Sequence, residues 1–167
     1  MRREITSNEL AALYGSVGRC IWHIQYLEDV LHTHLTLKVE IREPGRVTAA
    51  EAHELLAKHR RASQGTALGT AEKHGVLQSE LLAELRTLKD ERDWLVHRSM
   101  HQDGNSLYTD EGRNAVFSRL EALMQKSLHL KSKVIAETEA FCTGHGISSE
   151  QTEKLAREKI ARLRGDV

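Results

Sequence analysis

The stretch SELLAELRTLKDERDWLVHR, Ser79 to Arg98, carries the reading of this chain. Leu81, Leu82, Leu85, Leu88, Leu95 and Val96 fall on one side of a helix that starts near Ser79. One further step beyond Leu88 lands on Arg92. An arginine on an apolar stripe calls for a partner or a task, because a charge taken out of water without compensation is costly.

Arg92 and His97 lie five apart, which on a regular helix turns them about 140° away from each other. One straight helix does not aim both at a single point. The conflict eases if the long guanidinium swings round, if the helix distorts near His97, or if a second copy of the helix supplies the complementary group. Asp93 and His97, four apart, share a face.

Outward from this segment the chain divides into further helical patterns. On the N-terminal side, Leu10, Leu13, Val17, Ile21, Ile24, Leu31 and Leu35, with Leu27 or Glu28 between, mark a long first helix from Ser7 to about Val39. The proline and glycine of REPGR, Arg42 to Arg46, end it. Thr48 and Glu51 have capping-box spacing for a second helix reaching about Ala62. QGTALGTAEKHG, Gln64 to Gly75, carries three glycines and reads as a loop or frayed turn.

On the C-terminal side, HQDGNSLYTDEG is a turn-type cluster. A long helix follows from about Asp110 to Phe141, with Val116, Leu120, Leu123, Met124, Leu128, Val134 and Ile135 as its apolar residues. After CTGHGISSEQ, Ser148 and Gln151 cap a short, highly charged last helix to about residue 164, anchored by only Leu155, Ile160 and Leu163. The expectation is an all-α domain over residues 1–167. Its architecture would be an antiparallel bundle of four to five helices, its core at about 8–141.

Composition narrows the partners. With 24 basic and 24 acidic residues the formal net charge is zero, so a polyanion has to be held by a local patch. No apolar run is long enough to span a bilayer and the start lacks a secretory segment, so the expected location is the cytoplasm, with no membrane partner. One proline and seven aromatics in 167 residues suit helices better than sheets. Cys20 and Cys142 stand alone, without metal-type spacing, and Cys20 shares a helix face with Val17 and Ile24 as a small core residue.

Chemically, Arg92, Asp93 and His97 form a coherent trio. A guanidinium fork binds phosphate at two points, a histidine moves a proton near neutrality, and a carboxylate orients the imidazole. These are the parts for cleaving RNA without a metal. A base deprotonates the ribose 2′-hydroxyl, which attacks the adjacent phosphate while a cation steadies the added negative charge. The same residues also fit a purely structural account, with Arg92 in an ion pair to Glu91, Asp93 or a neighbouring helix and His97 capping a helix end.

RDWLVH, Arg92 to His97, resembles the Rx4-6H signature of the HEPN superfamily, the higher eukaryotes and prokaryotes nucleotide-binding domains. Arg92, Asp93 and His97 match it position by position, and Leu95 with Val96 fits its apolar pair. The resemblance implies a helical bundle that works as a symmetric homodimer. It further implies a metal-independent endoribonuclease, without cofactor, whose site combines two motif copies, in a toxin or phage-defence setting with an antitoxin or defence-system partner protein. Some members are non-catalytic modules that bind nucleotide, RNA or a protein, and this stands as the alternative. Two departures matter. Asp93 replaces the more common asparagine, and Ser99 stands where one toxin subgroup carries a modified tyrosine.

Arg86, Arg98, Lys58, Arg60 and Arg61 are candidate substrate-binding residues, a phosphate track with KHRR as its densest part; the bland account is a solvated helix end. Trp94 either stacks on a base or packs, possible at a dimer seam, and packing is expected. His97 and His101 have metal-compatible HxxxH spacing, but the turn after His101 and the missing glutamate argue against a metal site. His32 and His34, two apart on a helix, are expected at the surface or an interface.

Overall fold

The computed structural model describes residues 2–166. The chain folds into helices α1 (Ser7–Leu35), α2 (Ala49–Arg60), α3 (Gln64–His74), α4 (Ser79–Asp93), the single turn α5 (Ser99–Asp103), α6 (Asp110–Gly144) and α7 (Ser149–Arg164). No strand occurs among the described residues, only one isolated antiparallel bridge between Arg2 and Thr109.

Local sequence accounts for most boundaries. Thr6, Thr48 and Ser148 each close a reciprocal capping box, with Glu9, Glu51 and Gln151 respectively. Gly75 ends α3 in the left-handed conformation, with a φ of 59° that costs glycine no Cβ clash. Gln64–His74 is therefore a helix and not the loop its glycines suggested. Ser63 caps it, Ala67, Leu68 and Ala71 bury one face, and Gly69 sits off that face, so that burial outweighs glycine's low propensity. This adds a helix to the four or five expected: six helices exceed two turns among the described residues.

The centre of the bundle is α1, α4 and α6. Leu27, Leu35, Leu85, Leu88 and Leu130 are fully buried, each burial stabilising by roughly 1.5–3 kcal/mol. Cross-contacts set the directions. Along α1 and α6, Glu9 meets Arg113, Cys20 donates its thiol to the Leu120 carbonyl, and His34 meets Thr138, so these two helices run parallel. Along α4 and α6, Glu84 meets Lys133 and Glu91 meets Arg119, so α4 runs antiparallel to both. Of these three, α4 thus runs against α1, and α6 turns back to align with α1.

Two helices widen into π turns with i→i+5 bonding: Thr36–Ile41 after α1 and Trp94–Arg98 after α4. Arg42, with a φ of 64°, ends the first. The second lies inside the arginine–histidine motif.

His32 and His34 are buried, against the expectation of surface positions. His34 bridges the Thr138 hydroxyl (2.8 Å) and the Val76 carbonyl (2.9 Å), and His32 lies in the α1–α2 region near His59. The helical pattern placed them on two faces, and at this end of α1 both faces are covered by neighbouring chain. Ile21 deviates the other way, exposed on the outer edge of α1.

Candidate functional site

The site is built where α4 changes pitch. The Ser99 N–H bonds back to the Trp94 carbonyl, five residues earlier, and the Ser99 hydroxyl takes the Leu95 carbonyl at 2.8 Å. Such single-turn widenings recur at functional positions because they re-aim a side chain without ending the helix. The consequence falls on His97, which lies within the widened turn and is exposed. Of the three ways to reconcile Arg92 with His97, helix distortion is present in the protein.

A network around the buried Trp94 ring holds the widened turn. The Trp94 ring is fully buried, its indole N–H donates to Asp103 (2.8 Å), and the Arg119 guanidinium stacks on it 3.6 Å from the ring centroid. Arg119 in turn grips Glu91 through two bonds of 3.0 and 3.2 Å. Trp94 is therefore a packing residue within its own chain. Asp103 and Arg119 are the residues that sequence reading missed here. Nothing local marks them, because their roles depend on α6 passing behind the motif.

Arg92 is about one-third exposed and lies beside two carboxylates, Asp93 at 3.2 Å and Glu28 of α1 at 3.7 Å. Glu28 Oε1 is buried without a hydrogen-bond partner, and burial pushes its carboxyl up from the usual range while Arg92 opposes that shift. The stripe position of Arg92 thus places it at the α1–α4 seam, where it partly compensates a buried acid. Asp93 does not reach His97. Its two oxygens accept from Lys89 (2.7 Å) and Arg92, which hold its carboxyl below the usual range. The four-residue spacing that would join Asp93 to His97 assumes a regular α turn, and the π turn removes that regularity.

The proposed phosphate track separates into two locations. Arg86 bonds Glu72 of α3 at 2.5 Å, and Arg98 folds back on the Asp90 carbonyl at 3.1 Å. Arg60 bonds Asp29 of α1 at 2.6 Å, Lys58 stands 3.7 Å from Glu40, and Arg61 is exposed at the end of α2. The α2 basic end therefore lies against the outer side of α1, apart from Arg86.

Either side of His97 in sequence, apolar side chains are left uncovered. Val96 is 48% exposed and Met100 82% exposed. Leu13, Tyr14 and Val17 of α1 face Leu95, Met100 and Leu107 across a groove of about 210 Å³. His101 lines an adjoining hollow with Tyr14 and Tyr108. Among the described residues no three metal-donor side chains cluster, and no helix is long and apolar enough to cross a membrane. Comparison of the chain with protein-family models, with curated proteins and with solved structures finds no match.

Proposed function

We propose that the protein is a HEPN-like, metal-independent endoribonuclease acting as a symmetric homodimer. The observation that carries this reading is the π turn at Trp94–Arg98, which holds His97 exposed just past Arg92, itself at the contact with Glu28 of α1. A catalytic histidine needs access to solvent and substrate; a capping histidine would have its ring nitrogens on helix carbonyls, and His97 makes no such bond among the described residues.

In the reaction, His97 accepts the ribose 2′-hydroxyl proton as the oxygen attacks phosphorus. The P–O5′ bond breaks, the 5′-oxygen takes a proton, and a 2′,3′-cyclic phosphate remains. Arg92 steadies the pentavalent phosphorane with its fork, exchanging its contact with Asp93 for phosphate. The dimer seam is placed at the Tyr14–Met100 groove, and the two-copy site needs both histidines in one cleft, so that one acts as base while the other supplies the leaving-group proton. Cellular roles as a toxin or defence nuclease, with a partner protein that restrains it, follow from the same reading, as does action in the cytoplasm.

One observation favours the non-catalytic alternative, a module that binds RNA, nucleotide or protein: among the described residues no carboxylate bonds His97, and Asp93 is held by Lys89 and Arg92. The test is incubation with total RNA and defined oligonucleotides in EDTA. Fragments ending in cyclic phosphate are expected, with His97→Ala slower by about 100-fold or more. Absence of cleavage by folded, dimeric protein transfers the case to the binding module.

A further inference from the structure

The outer face of α1 carries two large aromatic side chains that the core does not use. Trp22 is 60% exposed and Tyr26 50% exposed, one turn apart, with ring centroids 5.6 Å from each other in an edge-to-face pair. Together with Gln25 and Asp29 they line an open hollow of about 340 Å³. An edge-to-face pair engages one ring's edge and the other's face, so aromatic surface is left for a third flat group.

The charges around this hollow point to an anionic ligand. Lys131 of α6 lies 5.8 Å from the Tyr26 centroid and makes no ion pair among the described residues. Arg19, on α1 one turn before Trp22, bonds the Ser16 hydroxyl at 3.2 Å and makes no ion pair among the described residues. The one acid lining the hollow, Asp29, is neutralised by Arg60, and that bond sets the basic end of α2 at the hollow's rim. Glu121, which lines the neighbouring hollow with Arg19, accepts from Gln125 at 2.8 Å. The combination is two free cations, exposed π surface and a polar amide, a set made for a base bearing phosphates on either side.

We infer that Trp22 and Tyr26, flanked by Arg19 and Lys131, form a stacking platform for a base of single-stranded RNA. The base lies on the aromatic surface, Gln25 meets its polar edge, and the backbone phosphates run from Arg19 and Lys131 toward Lys58 and Arg61. Double-stranded RNA fits poorly, because its bases are already stacked on each other and do not offer a free face. The choice of RNA rests on the ribonuclease reading, but the platform stands some eight residues, about 12 Å along α1, from the Tyr14 end that the dimer would cover.

The experiment uses the two tryptophans as separate reporters. Trp94 is fully buried, so quenching of tryptophan emission by an added oligonucleotide reads Trp22. The probe is a single-stranded 2′-O-methyl oligoribonucleotide of about eight nucleotides, which lacks the attacking hydroxyl and so separates binding from cleavage. Saturable quenching is expected, with the duplex form binding far more weakly. By anisotropy of the labelled probe, Trp22→Ala and Tyr26→Ala each weaken binding by about ten-fold. Arg19→Gln and Lys131→Gln each lower the salt slope by about 0.7.

Unchanged affinity of Trp22→Ala, whose exposed position leaves the fold intact, overturns the platform. So does loss of acrylamide access to Trp22 as protein concentration rises, which would assign the face to a second copy. Cleavage without this binding removes the platform alone, whereas binding without cleavage removes the ribonuclease reading and keeps the platform.

Discussion

At the scale of single residues, burial turns ordinary side chains into pH-dependent ones. His34 is fully buried between Thr138 and Val76, and burial holds its pKa below the usual 6.5, with the Lys38 charge adding to the effect. His32 shifts the same way, first from burial and then from His59. In both cases the unfolded chain takes up a proton that the folded protein refuses. Stability is therefore complete above 6.5 and falls with pH from there until the folded pKa is passed. Chemical denaturation at a series of pH values should show this acid limb, and His34→Asn should flatten it. An unchanged slope in that variant would move the effect to His32 or the carboxylates.

At the scale of elements, the junction before α6 is the tightest joint in the fold. A Cβ at Gly112 would overlap the carbonyl oxygen of Ser106, which is backbone and has nowhere to go. Next to it, the guanidinium of Arg113, almost wholly buried, donates to the Leu107 carbonyl (2.7 Å) and to Asp110, with Glu9 close by. Gly112→Ala ordinarily favours a helix by up to about 1 kcal/mol. Here thermal unfolding should show destabilisation of about 1–3 kcal/mol, because overpacking against backbone outweighs propensity. Since the Gly104–Tyr108 turn and α5 hang from this joint, the same variant should loosen the Trp94–Asp103 bond and lower any activity of His97.

At the scale of the whole molecule, the proposed dimer makes a separate claim. The groove between Tyr14 and Met100 is apolar, and Met100 projects from the same face, so a two-fold pairing lets each copy's projection meet the other's groove. Met100→Asp leaves the core untouched but puts a charge in the seam. Light scattering should then report a monomer where the parent is a dimer, with cleavage lost alongside. A parent that is monomeric at high concentration would sink this arrangement and, with it, the two-copy site.

Helix periodicity and caps were legible in the linear chain, since hydrophobic spacing and Thr-x-x-Glu pairs act within a few residues. They determined the all-helical character, the reciprocal caps at Thr48 and Ser148, the bounds of α6 to within a few residues, and the stripe that brought Arg92 to notice. Gln64–His74 was misread because its glycines are a local cost, whereas the burial of Leu68 that outweighs it comes from distant helices. Only the tertiary structure decided the π turn at Trp94–Arg98, the diversion of Asp93 to Lys89, the burial of both histidines and the exposed Trp22–Tyr26 pair. Each depends on what packs against a helix from elsewhere in the chain, which spacing along that helix does not encode.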